Sequence, residues 1–320
     1  MITFLASPKP FKGIALENQY RAIRSWLNTA DNVEVILFGD SFGIEEAGMN
    51  LGVKVVKEVT STPSGIPYFG SIALYASEHG KYDLQVYLNC DIIVSGILPA
   101  LRKIDFSQFL LIGQRIDLSE GLFVDFTKNN WSSTLRQLAE AGKATLFPPS
   151  GIDYFGFRRG LWKDLPLVVI GRAGYDNALL AYCLRHRIRI IDATYSVIAL
   201  HQFHDYGHVR GGQQAVWLGE DAQNNYHQAG GTHSRTMVSD ASYVLKNNLI
   251  TLWQCRGNQL RRLELILRYE MGWNKTGLIL KMIWRGLHAI GLIQVSQLSL
   301  EDTLNSCICA CESNGNPLIT

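Results

Sequence analysis

At 320 residues, with 47% hydrophobic and 18% charged residues, the chain is long enough to bury a substantial core and too apolar for a disordered segment. A formal net charge of +2, from 30 Lys and Arg against 28 Asp and Glu, gives no general attraction to nucleic acid. No apolar stretch reaches the ~18 residues of a spanning helix, and Met1 to Ser7 has no basic leader or small-residue cleavage site. A cytoplasmic protein is expected, soluble or peripheral on the cytoplasmic membrane face.

Strand and helix patterns alternate through the first two thirds, which predicts an α/β fold with a mostly parallel mixed sheet flanked by helices. The order is strand Ile2 to Ala6, helix Gly13 to Asn28, strand Val33 to Phe38, helix Phe42 to Asn50, strand Val53 to Val56, helix Pro67 to Glu78 and strand Leu84 to Leu88. Then come helix Gly96 to Ile104, strand Phe109 to Gly113, helix Trp131 to Ala141, strand Tyr154 to Phe157, helix Asp176 to His186, and strands Ile188 to Asp192 and Ser196 to Leu200. From about Ser239 the texture changes to helical runs: Ala241 to Gln254, Asn258 to Tyr269 and Thr276 to Ile293. Three regions are therefore expected: a sheet domain over 1–238, a helical C-terminal extension over 239–300 and a flexible tail over 301–320.

Ligands of open α/β sheets gather beyond the carboxyl ends of strands. The apolar strand Leu84 to Leu88 runs into Asn89-Cys90-Asp91. If the strand geometry continues, Asn89 and Asp91 point the same way and offer oxygen to one hard cation, Mg2+ or Mn2+, with its bound diphosphate. The same residue types also suit a turn or a helix cap.

Other features stay open at this stage. The run His201-Gln202-Phe203-His204-Asp205-Tyr206-Gly207-His208 suits a zinc site and hydrolysis, or a loop fixed by hydrogen bonds. Cys90, Cys183 and Cys255 read as isolated buried thiols, whereas Cys307, Cys309 and Cys311 alternate without CxxC spacing and read as incidental thiols of the tail. In the last long helix Lys281, Arg285 and His288 form one polar stripe in an otherwise apolar surface. That apolar surface must be covered, by the rest of the chain, by a second copy in a homodimer or by an anionic membrane surface.

The order of these segments resembles the nucleotide-diphospho-sugar glycosyltransferases of the GT-A fold, over roughly residues 1–210. Five places carry the resemblance: Ser7-Pro8-Lys9-Pro10-Phe11, Phe38-Gly39-Asp40, Asn89-Cys90-Asp91, the segment Gly171 to Asn177 after the strand at Asp153-Tyr154-Phe155, and His201. The N-terminal half also looks like an uncharacterised bacterial and plant branch of these enzymes. The resemblance implies that Ser7, Lys9, Phe11 and Asp40 hold the donor nucleotide. It puts a DxD-like metal motif at Asn89 and Asp91, with Asn in place of the first Asp, and adds His201 as a further ligand. Asp176 becomes the catalytic base in a reduced xED pattern.

Around these, Gly65 in Ser64-Gly65-Ile66-Pro67 offers a backbone N–H to ribose or phosphate, His204 and Arg210 lie near the diphosphate, and Asp153, Tyr154 and Arg172 orient the acceptor or the sugar. Expected partners are a nucleotide-diphospho-sugar donor and a sugar or lipid-linked acceptor, and the expected reaction is metal-dependent transfer with inversion, in polysaccharide or glycoconjugate synthesis. Two rivals remain. One is a sugar nucleotidyltransferase or pyrophosphorylase, disfavoured because the loop after the first strand has no glycine. The other is a non-catalytic nucleotide-sugar-binding protein.

Overall fold

Apolar runs of three to six residues, each closed by polar or glycine-containing turns, form thirteen strands among the residues described by the computed structural model, which are 1–204, 212–231, 235–252, 256–293 and 298–313. The first half runs β1 (Ile2–Ala6), α1 (Gly13–Leu27), β2 (Val33–Phe38), α2 (Ile44–Leu51), β3 (Lys54–Val56), α3 (Phe69–His79), β4 (Leu84–Leu88), β5 (Ile92–Ser95), α4 (Ile97–Arg102), β6 (Phe109–Ile112), β7 (Ile116–Leu118), α5 (Trp131–Glu140), β8 (Ala144–Leu146) and β9 (Tyr154–Arg158). The second half adds α6 (Tyr175–Arg185), β10 (Arg189–Asp192), β11 (Ile198–His201), α7 (Gly212–Leu218), α8 (Glu220–Gln228), β12 (Tyr243–Lys246), β13 (Leu249–Leu252), α9 (Arg256–Leu265), a π-helical turn (Ile266–Glu270), α10 (Asn274–Ala289) and α11 (Leu300–Ser313).

Nine strands make one mixed sheet in the order β13-β12-β10-β6-β9-β4-β1-β2-β3. Its neighbours are parallel except at β9, which runs antiparallel between β4 and β6, and at the edge hairpin β12-β13. Alternation sends successive side chains of a strand to opposite faces. Phe4, Leu37 and Val86 pack under α1, α2 and α4, while Leu5, Ile36, Phe38 and Tyr87 pack under α3 and α6. A mostly parallel sheet with both faces covered is the expected fold class.

The second sheet, ordered β5-β11-β7-β8, positions the site. It has its own core, in which Ile93, Ile116, Leu118, Ile198 and Leu200 meet Trp131 and Leu135 of α5 and Leu304, Cys307 and Ile308 of α11. Two of its strands are short continuations of large-sheet strands: β5 follows β4 through one turn, and β7 follows β6.

The C-terminal third departs from the sequence reading in three ways. The helix expected over Ala241 to Gln254 is instead the hairpin β12-β13, and β12 pairs in parallel with β10, so the main sheet crosses the expected boundary at 238. Asn247 and Asn248 both have positive φ, 52° and 61°, as a two-residue hairpin turn requires. Residues 301–313 of the expected tail belong to α11, which buries Leu304 and Cys307. The Cys307 thiol donates to the Thr194 carbonyl at 3.3 Å, whereas Cys309 is exposed, so alternate thiols diverge around the helix; the Cys311 side chain lies outside the described residues.

Candidate metal and donor site

β1, β2, β4 and β6 run in one direction and β9 against them, so Ser7, Gly39, Asn89, Arg115 and Asp153 all emerge at one sheet edge. At that edge β4 does not continue extended. The Ile92 amide donates to the Asn89 carbonyl at 3.1 Å, closing a tight turn over Asn89-Cys90-Asp91-Ile92 before β5 begins. The alternating geometry expected for Asn89 and Asp91 is therefore replaced by a turn that sends the two side chains to different partners.

Asp91 goes to the histidines. The antiparallel register of β11 on β5 sets His201 opposite Ile92. Gln202, buried, then clamps the following segment by donating its side-chain amide to the carbonyls of Asp91 at 3.1 Å and Asn18 at 2.9 Å. His204 Nε2 lies 3.2 Å from Asp91 Oδ2 and 3.3 Å from His201 Nε2. One ligand atom from each of Asp91, His201 and His204 falls within 4.8 Å of the others, a metal-capable group. Lys9 Nζ, partly exposed, donates to Asp91 Oδ2 at 2.7 Å. Burial opposes ionisation of Asp91, but Lys9 and the two imidazoles outweigh it and hold the carboxyl well below its ordinary range.

Asp91 Oδ1 is buried and has no hydrogen-bond partner among the described residues. A buried carboxylate oxygen left unpaired costs free energy on the order of 1–3 kcal/mol or more, so such an atom calls for a ligand. The donor set is one carboxylate and two imidazoles, which suits a divalent transition ion such as Mn2+ better than the all-oxygen preference of Mg2+. His201 is also oriented as metal-bound histidines are: its Nδ1 lies 3.2 Å from Asp117 Oδ1 while Nε2 faces the group. Asp117 is in turn held by Arg115 Nε at 2.8 Å. Burial works against ionised Asp117, and His201 and Arg115 more than offset that, so its carboxyl is also lowered.

Asn89 belongs to the adjoining half of the site. Its amide donates to Asp153, and its oxygen accepts from Tyr175 Oη at 3.1 Å. Asp153 also accepts from Arg115 Nη1 at 2.6 Å. Beyond them stands Asp176. The helix begins at Tyr175, with Gly174 in the left-handed N-cap position, so Asp176 lies in the first turn of α6 and is not its cap. Burial, opposed by the Asn177 amide and reinforced by the charge of Asp153, pushes its carboxyl up to about 7.

Several expected residues stand elsewhere. Phe11 is only 4% exposed and packs edge-on against Tyr20, so its ring offers no face to a base. Tyr154 faces the opposite side of the sheet from its neighbour Phe155 and is fully buried, because adjacent strand residues alternate. The Gly65 N–H donates to the Thr62 carbonyl at 2.8 Å, inside its own turn. Arg172 turns to α8, with Nε 3.8 Å from Asp221 Oδ2. Asp40 is exposed at the shared edge, paired with Lys57 at 2.9 Å, and Ser7 stands beside Gly39. Arg210 lies outside the described residues.

Sequence reasoning missed Arg115, Asp117 and Tyr175. The signal was present for the first two: they follow the strand Phe109 to Gly113, whose carboxyl end is as much a ligand edge as that of β4.

No protein-family model matches the chain, and no curated protein matches it. Among solved structures, glucosyl-3-phosphoglycerate synthase from Mycobacterium tuberculosis, in complex with uridine-diphosphate, is similar at 15% identity over 79% of this chain and 87% of that one, with a TM-score of 0.42. The same enzyme with Mn2+, uridine-diphosphate and phosphoglyceric acid gives 15% identity, coverage of 79% and 86%, and a TM-score of 0.41. A mannosyltransferase from Pyrobaculum calidifontis, in complex with GDP-Man and Mn2+, gives 15% identity over 65% of this chain and 58% of that one, with a TM-score of 0.41. Likenesses of this size carry no weight for the chemistry. Among the described residues no helix is long and apolar enough to cross a membrane.

Proposed function

We propose that this protein is a metal-dependent glycosyltransferase that moves a sugar from a nucleotide-diphosphate donor to an acceptor hydroxyl with inversion. The observation that carries the reading is the convergence of Asp91, His201 and His204, with the unpartnered Asp91 oxygen, at the carboxyl edge of the sheet. The segment order that resembles GT-A enzymes supplies the reaction class.

Asp91, His201 and His204 would hold the ion, Mn2+ by their chemistry. A divalent ion there supplies stabilisation of the negative charge that grows on the diphosphate leaving group, a contribution of several kcal/mol. Lys9 brings a fixed positive charge to the same edge. Asp117 and Arg115 set the imidazole of His201, and Asn89 ties Asp153 to Tyr175 so that the start of α6 keeps its place. Asp176 takes the acceptor proton; a carboxyl poised at about 7 is matched to that task near neutral pH. Ser7 and Asp40 lie where the nucleoside would rest.

The discriminating experiment is a thermal-shift panel of nucleotide-diphospho-sugars with and without Mn2+, followed by donor hydrolysis and transfer assays on the wild type and Asp91→Ala. One donor that stabilises only with Mn2+, and turnover that Asp91→Ala abolishes, supports the reading. Mn2+-dependent donor binding without any turnover would make the chain a sugar-nucleotide-binding protein. The two imidazoles also suit the zinc site considered for the histidine run: a zinc hydrolase would carry zinc through purification and cleave its substrate with no acceptor.

A further inference from the structure

The helix α10 turns Gly277 and Lys281 inward, with Leu280, Trp284 and Leu287 half-buried beside them. Gly277 and Lys281 are its buried residues, and a side chain at Gly277 would collide with Arg268, so the helix lies close against the π-helical turn. Beneath it Arg261 donates to Asp240 at 2.8 Å through both Nε and Nη2 and also to Glu264, and Arg268 donates to Glu264 at 2.8 Å. Burial, then the charge of Arg261, pushes Lys281 down to about 8. Of the polar stripe seen in the sequence only Lys281 meets this ionic layer, and the remaining apolar side chains of the helix, Ile279, Met282 and Ile283 among them, face outward.

That outward side is a single face. Ile279, Met282, Ile283 and Ile290 are spaced three, one and seven residues apart, which keeps them on one stripe of a helix. They are 59%, 68%, 47% and 69% exposed. Trp273 before the helix and Leu292 after it are exposed as well. Isolated exposed apolar residues need no explanation, but a contiguous helical face of this kind marks a surface that meets something.

Charge identifies the occupant. Between Ala241 and Gly291 there are eight Lys and Arg and two Asp and Glu. Both acids are satisfied within the chain: Glu264 by Arg261 and Arg268, and Glu270 by Arg187 at 3.3 Å. Lys246, Arg262, Lys275 and Arg285 are exposed, the last two on α10 itself. A second copy would bring the same positive charge against this face. A bilayer with anionic headgroups supplies both what the apolar stripe needs and what the basic residues need, and Trp is favoured at that interface.

We propose that the exposed apolar face of α10, with its basic border, lies in the surface of an anionic lipid bilayer. The helix rests in the interface and does not span it, and the inference goes beyond the transfer reaction and does not depend on it.

The test is flotation of the full chain with phosphatidylcholine vesicles, with and without phosphatidylserine, at low and high salt. The expected result is capture by phosphatidylserine vesicles at low salt, weakened by high salt and absent with phosphatidylcholine alone. The Ile279→Asp/Met282→Asp variant, which changes only exposed positions, should lose at least about tenfold in vesicle affinity while keeping its circular dichroism and melting temperature. Lys275→Glu/Arg285→Glu should weaken capture by anionic vesicles without altering fold. The proposal is overturned if wild type fails to float at low salt, or if both variants float as wild type does. It is equally overturned if the chain ignores vesicles and sediments as a dimer that the Asp variant splits, which would assign the face to a second copy.

Discussion

Two ionic networks in this chain draw on similar side chains and end differently. In the layer under α10, Arg261, Asp240, Glu264 and Arg268 are all buried, every carboxylate has an arginine, and the backbone of Arg235 and Met237 takes the remaining bonds. Among the described residues none of its fully buried side-chain polar atoms is left unpartnered. At the sheet edge, Lys9, Asp91, His201, His204, Asp117 and Arg115 form a chain of contacts as dense, yet Asp91 Oδ1 is unpaired and the lysine and both imidazoles remain partly exposed. A closed network fixes structure. A network with one partner missing among the described residues, at a partly open edge, is the kind that the proposed metal would complete.

That contrast is open to attack by substitution. The largest effect is expected for Asp91→Ala, which should remove on the order of 10³-fold or more of transfer activity along with Mn2+ binding, measured by turnover and by titration of the ion, while the melting temperature changes little. Asp176→Asn should cost about 10² to 10⁴ in turnover with donor affinity kept. The wild-type rate should fall as pH drops through about 7, since the base must be ionised to accept a proton. The stability sign is opposite. The carboxyl pKa is raised from 3.8 to about 7, so the folded state holds this proton more tightly and ionisation costs stability as pH rises through that window. Asp176→Asn should therefore raise the melting temperature at pH ~8 and leave it nearly unchanged near pH ~4.

In the closed network the readout should reverse. Arg261→Met, by stranding Asp240 and Glu264, should cost about 3–5 kcal/mol in denaturant unfolding and leave the affinity for Mn2+ unaltered. Asp117→Asn sits between the two cases: it should weaken metal binding about 10- to 100-fold with a small change in stability, because it acts by aiming His201. The smallest effect is expected for Cys309→Ser, an exposed position where stability should stay within about 0.5 kcal/mol and metal content should not change.

In the first two thirds the strands of the large sheet were legible because each is a short apolar run bounded by turn residues, whereas β5, β7 and β8 of the second sheet were not read; Asp91 and His201, two members of the candidate metal group, were legible because they end such runs. What the pattern did not carry was the partner of each strand. The turn at Asn89 to Ile92 diverts the chain into the second sheet, and only the pairing of β11 on β5 shows that His204 joins Asp91. Asn89, similar in type to its neighbour Asp91, was assigned the same task and has another. In the hairpin β12-β13, the Asn247-Asn248 pair between two β-prone runs was a strand signal, outweighed in the sequence reading by the helical texture downstream. For α10 the stripe was visible but its direction was not, since the ionic layer of Asp240, Arg261, Glu264 and Arg268 takes Lys281 inward while Arg285 and His288 stay exposed.

The helix α11 packs Leu304, Cys307 and Ile308 against the underside of β5, β7 and β11, the three short strands next to Asp91, Asp117 and His201. Shortening the chain before Leu300 would uncover that floor, and the damage would surface far from the cut in sequence, as Asp91, Asp117 and His201 splaying apart. A protease or an ill-placed fusion near the carboxyl terminus would thus behave, in an assay of Mn2+ binding, like a lesion at the candidate site itself.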